Sequence, residues 1–187
     1  LFQTTFSNEN GISILRTHSW ALPKLAFFHQ KLWVFLMMRL VRKYIKQYGR
    51  PDLIHVHSAI WGSIVGSLVK KRYGIPYVLS EHRGRFTNLT SFSASEFHSW
   101  FDKPLREGLS NIDYCLPLSK LMVPKLSSFF PRNFSKIKVI PNSVDTEFFQ
   151  RNSTKETLST PFTFLVVSGL QYVKGIHLLI PAFAKVK

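Results

Sequence analysis

Cysteine and acidic residues are scarce in this sequence of 187 residues. The single cysteine, Cys115, excludes an internal disulfide and a zinc site built on several cysteines. Only 10 Asp and Glu residues stand against 25 Lys and Arg residues. The resulting formal net charge of +15 at pH 7 indicates that the protein attracts anions, such as nucleic acids, acidic lipid headgroups or phosphorylated small molecules.

Long apolar runs are also missing. The longest, residues 32–38, has 7 residues, whereas a membrane-spanning helix needs about 20. Hydrophobic residues nevertheless make up 45% of the chain and aromatic residues 14%. This composition is sufficient for a folded core and differs from that of a disordered protein.

Several common functional motifs are absent. The sequence contains no Gly-x-Gly-x-x-Gly and no Walker motif, which disfavours dinucleotide-binding and P-loop proteins. It has no Asp-x-Asp pair to hold a divalent metal on a nucleotide diphosphate, and no Gly-x-Ser-x-Gly elbow. Zinc-finger and RNA-recognition signatures are also missing, so we expect no nucleic-acid partner. A membrane surface or a phosphorylated substrate better fits the basic charge.

Basic residues concentrate in the first fifty positions, which carry eight Lys and Arg and a single acid, Glu9. Most of them fall in residues 25–48, which predict a helix, because apolar residues recur at helical spacing on one face: Trp33, Met37, Leu40 and Tyr44. The basic residues lie on the opposite side: Lys31, Arg39, Arg42, Lys43 and Lys46. This side is interpreted either as a solvated helix face or as a surface that docks on an anionic membrane.

Segments of strand length alternate with helical patterns along the chain. Strands are predicted at 52–57, 77–80, 112–118, 136–140 and 162–167, besides a short apolar run at 12–15. Helices are predicted at 25–48, 60–73, 96–109, 121–130 and 175–186. This alternation is typical of an α/β fold with a Rossmann-like parallel sheet and helices on both faces. The polar residues 150–161 predict a linker between domains at 1–149 and 162–187.

Ligands of open parallel sheets bind outside the carboxyl ends of the strands. The residues at those ends are His57, Ser58, Glu81, His82, Arg83, Gly84, Ser119, Asn142, Ser168 and Gly169. His82 could orient a substrate hydroxyl and respond to developing charge, or it could brace its loop. Arg83 could contact a phosphate or remain solvated.

His55 and His57 are two residues apart on a predicted strand and therefore share a face. They could ligate a metal if His82 or Glu81 supplied a third ligand. The favoured interpretation is one histidine in the core and one at the rim of a cleft.

Lys174 and Gly175 precede a predicted helix. Free N–H groups at a helix N-terminus, together with a lysine, can bind a phosphate, although Lys-Gly alone is a weak signal.

Five segments together point to a known family. They are PDLIHVHS at 51–58, GIPYVLSEH at 74–82, IDYCLPLS at 112–119, KIKVIPNSVDTEF at 136–148 and FLVVSGLQYVKGIHLLIPAFAKV at 164–186. In their order and spacing they resemble the family 4 glycosyltransferases of the GT-B fold, particularly bacterial enzymes of surface-polysaccharide assembly.

The resemblance implies two Rossmann-like domains with a nucleotide-sugar in the cleft between them and no metal or other cofactor. His82 matches the family's histidine near the transferred sugar, and Lys174 with Gly175 matches its diphosphate site. Asn142 matches an asparagine at the domain junction, treated as structural, and is counted with the other cleft candidates, which are His57, Ser58, Arg83 and Ser119. Gly169 stands where the family has a diphosphate-binding arginine, and Ser143 replaces a glycine.

The chain is expected to be a fragment: an acceptor-side domain that lacks its first strand and glycine-rich loop, and a truncated donor-binding domain. Its parent enzyme would transfer a sugar from a nucleotide-sugar to a glycan or lipid-linked acceptor, in cell-surface polysaccharide biosynthesis, and the fragment alone would be inactive. We expect a cytoplasmic location, peripheral on the inner face of the membrane. The alternatives are a GT-B-fold nucleotide-sugar epimerase and a non-catalytic basic binding module from a truncated gene.

Overall fold

The computed structural model describes residues 3–19, 25–82, 86, 99–129, 134–150 and 163–186. The chain divides into two compact units, Leu1–Ser143 and Val144–Lys187. All but the first residue of the predicted linker at 150–161 lies outside the described residues, so that the linker stays a prediction.

The first unit contains an antiparallel hairpin of two strands, β1 (Thr4–Glu9) and β2 (Ile12–Thr17). The turn residues Asn10 and Gly11 have φ values of 53° and 84°. The tightest hairpin turns need positive φ at both positions, and Asn-Gly meets this need at little cost. Only the run at 12–15 is predicted from the sequence, so the hairpin is an addition to the expected parallel sheet.

Helix α1 (Ala26–Tyr48) confirms the helix predicted at 25–48. It packs against β2 and the following helix, buries Leu36, and ends at Gly49, whose φ is 88°. Three residues of its predicted apolar face are half-buried, whereas the fourth, Tyr44, is exposed. Among the described residues, no helix is long and apolar enough to cross a membrane.

A parallel sheet of three strands forms the centre of the first unit and confirms the predicted α/β class. Its strands are β3 (Ile54–His57), β4 (Tyr77–Glu81) and β5 (Tyr114–Pro117), in that spatial order. The register places His57 beside Ser80 and Glu81 beside Pro117. Parallel strands are normally covered on both faces, and Leu79 and Cys115 are accordingly fully buried.

Helix α2 (Ala59–Tyr73) joins β3 to β4, and helix α3 (Ser99–Ser110) precedes β5. Glycines set how closely these helices pack. A Cβ on Gly108 would lie 2.7 Å from the Oγ of Ser63 and 2.9 Å from its carbonyl carbon, and one on Gly66 would lie 2.6 Å from the ring of Tyr77. The small residues of α2 therefore face inward, and Leu68, whose spacing places it on an apolar face, is exposed.

Asp113 links three elements of the first unit. Its Oδ1 accepts a hydrogen bond from Lys70 Nζ in α2 at 2.6 Å, and its Oδ2 accepts one from the backbone N–H of Tyr77 in β4 at 2.9 Å. Burial alone would raise the pKa of this carboxyl group. The bonds from Lys70 and Tyr77, with the charge of Lys70, hold the pKa below its ordinary value.

The chain after β5 differs from the prediction. A 3-10 turn (Lys120–Met122) leads into the short helix α4 (Val123–Ser127), in place of one helix over 121–130. The strand predicted at 136–140 is wrong. The N–H groups of Lys138 and Ile140 donate to β5 at 2.9 and 3.0 Å, but only Ile137 forms a β-bridge, so that no regular ladder is built.

The second unit contains a 3-10 turn (Tyr172–Lys174) and helix α5 (Ile176–Phe183), which confirms part of the predicted final helix. Residues 163–167 do not form the predicted strand. Their side chains are exposed, and no described strand of this unit lies beside them to pair with their backbone groups. Strand propensity alone does not produce a strand, because a strand needs a neighbouring strand to pair with.

Candidate functional site

The carboxyl edge of the parallel sheet brings together residues from two separate sequence motifs. His57 is the last residue of β3, and His82 directly follows β4. Because the two strands are parallel neighbours, both histidines lie at the same edge. His57 Nδ1 lies 3.1 Å from His82 Nε2, within hydrogen-bond distance, and both side chains are exposed. This pair is the centre of the candidate site.

His55 lies beside the pair on the same face of β3. Its ring centroid is 4.3 Å from that of His57, and its Nε2 lies 2.9 Å from the Oγ of Ser80. Burial, followed by repulsion from His57 and His82, lowers the pKa of His55 below its ordinary value. The neutral form of the His55 ring is therefore favoured.

Glu81 is fully buried beneath the histidines, at the end of β4. Its Oε2 accepts a hydrogen bond of 2.5 Å from the backbone N–H of Ala59, the first residue of α2. Ile60 and Trp61, which follow Ala59, have non-helical backbone angles, so the carboxylate binds a backbone N–H at the junction that precedes the regular part of α2. Burial, and then the charge of Glu81, raise the pKa of the neighbouring Cys115 thiol to about 12.

The backbone is strained at Ser58, between β3 and α2, and at Trp61 inside the first residues of α2, where Ile60 and Trp61 are not helical. Ser58 has a φ of 71° and Trp61 a φ of 69°, in a region that favours glycine. Such residues cost of order 1–3 kcal/mol each and cluster at functional sites. The Oγ of Ser58 is buried, and it has no hydrogen-bond partner within the described part of the chain. Trp61 packs its ring 5.5 Å from that of Trp33.

The structure describes two of the other predicted cleft residues, Ser119 and Asn142. Ser119 caps the turn after β5, where its Oγ accepts a hydrogen bond of 3.2 Å from the N–H of Leu121. Asn142 is exposed in a segment without regular structure. Arg83, with Gly84, lies outside the described residues.

Lys174 and Gly175 belong to the second unit. Lys174 is exposed and ends the 3-10 turn, with its N–H donating to the carbonyl of Gln171 at 2.9 Å. Gly175 follows with a φ of 70° and accepts hydrogen bonds from Leu178 and Leu179 in α5. A Cβ at Gly175 would meet no atom within 4 Å, so the backbone conformation rather than space explains the glycine.

A metal site on His55, His57 and His82 was an open alternative. Within residues 3–19, 25–82, 86, 99–129, 134–150 and 163–186, no group of three or more His, Cys, Asp and Glu residues could hold a metal ion. Glu81, considered as a third ligand, instead accepts the N–H of Ala59.

The family model of Glycosyltransferase Family 4 matches residues 5–148, which is most of the chain. The chain belongs to glycosyltransferase family 4. This match confirms the resemblance on which the sequence interpretation rests, and it supports a transferase function in general. No curated protein matches the chain. The matched range of the family 4 chain includes the hairpin, the parallel sheet and both histidines of the candidate site.

Two features of the site in this glycosyltransferase chain were missed in the sequence. One is the contact between His57 and His82; its signal was available, because the strand predicted at 52–57 ends in His57 and the strand predicted at 77–80 is followed two residues later by His82. The other is the role of Glu81 at the start of α2. A carboxylate beside a helix start from another strand has no sequence signal unless the strand order is known.

Proposed function

We propose that the chain acts in the transfer of a sugar, of the hexose class, from a nucleotide-sugar to a glycan or lipid-linked acceptor during cell-surface polysaccharide biosynthesis. The observation that carries this proposal is the exposed pair of His57 and His82 within the region matched by the family. Imidazole nitrogens at the open edge of a parallel sheet suit hydrogen bonding to sugar hydroxyls.

In this proposal, residues of the first unit bind the sugar and residues of the second unit bind the diphosphate. His82 contacts the transferred sugar, and Ser58, Ser119, Asn142 and Arg83 are the further cleft candidates. Lys174 and the backbone around Gly175 hold the diphosphate, where the lysine stabilises the charge that develops on the leaving group. No metal or other cofactor is part of this proposal.

The start of α2 supports this division. A helix N-terminus at a sheet edge is a common phosphate site, because its free N–H groups point outward. Here the buried carboxylate of Glu81 already accepts the N–H of Ala59. A phosphate placed there would meet a negative charge, so the first unit is poorly suited to hold the diphosphate.

Binding tests the donor site directly. Nucleoside diphosphate sugars with uridine, guanosine and adenosine bases are titrated by calorimetry into the wild type and into K174Q. Losing a charge-assisted hydrogen bond to phosphate, of about 1.5–3 kcal/mol, weakens the donor that binds by about tenfold or more. K185Q, which removes an exposed lysine from the same unit, is the matched control. Equal affinities of K174Q and K185Q contradict the assignment of Lys174.

The outer face of α1 supports a membrane partner near a lipid-linked acceptor. Phe28 and Phe35 are 59% and 62% exposed. At helical spacing they share this face with exposed basic residues: Lys31, Arg39, Arg42 and Lys46. The helix contains no Asp or Glu. Exposed phenylalanines among basic residues suit the headgroup region of an anionic membrane, which places the protein peripherally on the cytoplasmic face in our proposal.

Vesicle binding tests this surface. Co-sedimentation with vesicles that contain phosphatidylglycerol is compared with vesicles of phosphatidylcholine alone. Each basic residue near such a surface contributes about 1 kcal/mol, so R39Q/R42Q weakens binding by about 30-fold. K103Q/K120Q removes the same charge from exposed positions outside α1 and is the control. Binding that ignores lipid charge, or equal losses in both double variants, contradicts the proposal.

A further inference from the structure

His57 and His82 face each other through defined ring nitrogens. Nδ1 of His57 and Nε2 of His82 are 3.1 Å apart, and the ring planes differ by 16°. The contact joins the last residue of β3 to the residue after β4, two neighbouring strands of fixed register. The register of the sheet therefore holds the two residues next to each other at the same edge.

A hydrogen bond at this distance couples the tautomers of the two rings. A neutral imidazole carries one N–H and one bare nitrogen, so one ring donates and the other accepts. If His57 Nδ1 donates, His82 carries its proton on Nδ1, the nitrogen outside the contact. If His82 Nε2 donates, its Nδ1 is bare and can accept. The partner thus decides whether His82 offers a donor or an acceptor to a ligand.

The arrangement in which His82 Nε2 donates to His57 Nδ1 is the more favourable of the two. Neutral histidine intrinsically prefers its proton on Nε2, and only a bond from His82 Nε2 to His57 Nδ1 allows both rings to keep that form. We infer that His57 is a positioning residue that holds His82 in the Nε2–H tautomer, so that Nδ1 of His82 accepts a hydrogen bond from a hydroxyl of the sugar. The contact with the sugar rests on the proposed function, whereas the tautomer does not.

Neither His55 nor Glu81 takes the place of His57 as the partner that sets the tautomer of His82. His55 is directed to Ser80, with its Nε2 at 2.9 Å from the serine Oγ. Glu81 is fully buried and accepts the backbone N–H of Ala59, whereas His82 is exposed. The ring on β3 that contacts His82 at hydrogen-bond distance is that of His57.

Nitrogen NMR of the ¹⁵N-histidine-labelled chain reads the tautomer directly, because protonated and bare ring nitrogens resonate in separate ranges. Spectra are recorded at a pH well above the histidine range. In the wild type, His82 should show a protonated Nε2 and a bare Nδ1. In H57L the two signals should move towards each other as both tautomers become populated. In H57N the amide oxygen can accept from Nε2, which should restore the wild-type pattern.

H55L is the matched control, since it removes a histidine from the same face of β3 without removing the contact to His82. Amide fingerprint spectra verify that each variant folds, as expected for an exposed side chain such as that of His57. A protonated Nδ1 on His82 in the wild type, or a pattern in H57L that matches the wild type, overturns the inference.

A titration with nucleoside diphosphate sugars separates this inference from the proposed function. Losing one whole neutral hydrogen bond of about 1 kcal/mol would weaken binding by about fivefold, and because H57L only shifts part of His82 to the other tautomer, its loss of sugar-nucleotide affinity should be smaller than this, with recovery in H57N. If the tautomer changes as expected but His82 does not respond to any sugar nucleotide, the proposed sugar contact fails while the effect of His57 on the tautomer stands.

Discussion

Replacing Glu81 by glutamine removes the negative charge from a fully buried side chain and keeps its volume. The carboxylate accepts a bond of 2.5 Å from the N–H of Ala59, at the junction that also carries His57 and Ser58. The variant therefore tests whether this charge stabilises the start of α2 and, with it, the edge of the sheet that holds the candidate site.

Two opposing effects decide how much the E81Q substitution changes the free energy of unfolding. A hydrogen bond to a charged group contributes about 1.5–3 kcal/mol against about 1 kcal/mol for a neutral one. Burying a carboxylate costs several kcal/mol, which glutamine would recover in part. Because the buried carboxylate accepts a bond of 2.5 Å from the N–H of Ala59, we expect the first effect to win, with E81Q less stable by about 1 kcal/mol. E81A also leaves a cavity and should lose about 3 kcal/mol.

Urea unfolding followed by tryptophan fluorescence measures both variants. The urea concentration at the midpoint of unfolding should fall. The slope of the unfolding free energy against urea concentration should stay constant, since the surface exposed on unfolding is unchanged. E107Q is the control, because Glu107 forms an exposed ion pair with Lys71 on the surface of α3 and α2, and such pairs contribute less than about 1 kcal/mol. If E81Q is as stable as the wild type or more stable, desolvation of the carboxylate outweighs its hydrogen bond to Ala59 and the reasoning is refuted.

Three further predictions concern the first unit. G108A should be destabilised by about 1–3 kcal/mol in thermal unfolding, because its Cβ would overlap the backbone of Ser63; an unchanged melting temperature contradicts the close packing of α2 and α3. Because folding lowers the pKa of Asp113, its carboxylate stabilises the fold at pH values above the ordinary pKa of 3.8. The stability advantage of the wild type over D113N should therefore shrink as the pH falls through the folded pKa, and an advantage that grows in acid would have the wrong sign. Cys115, fully buried with its pKa raised to about 12, should react with a thiol reagent only on unfolding, and fast labelling of the native chain would contradict its burial.

The sequence predicted the parallel sheet because its strands are short apolar runs that end at glycine, proline or polar residues. The hairpin escaped prediction although Asn10 and Gly11 mark a tight turn, since the strand before them is largely polar. The strand expected at 136–140 failed for another reason: strand formation depends on a neighbour, and a single bridge at Ile137 does not make a ladder.

The site, like the fold, could be predicted where a feature depends on one local segment and not where it depends on which strands are neighbours. The position of His82 after a strand could be read from one segment, because the carboxyl end of a parallel strand is a local feature. Its contact with His57, and the reach of Glu81 across to Ala59, depend on which strands are neighbours and on their register. Those contacts join residues about 20 or more positions apart, and sequence periodicity carries no information about them.

The response of His82 to ligand tests the central claim most directly. The wild-type chain is titrated with a nucleoside diphosphate and then with the matching nucleoside diphosphate sugar, while the ring signals of His82 are followed by NMR. We predict that these signals shift with the sugar nucleotide and not with the diphosphate alone, and that H82A loses only the added affinity of the sugar. Equal responses to both ligands, or a sugar nucleotide that binds H82A as tightly as the wild type, would contradict the assignment of the sugar to this edge of the sheet.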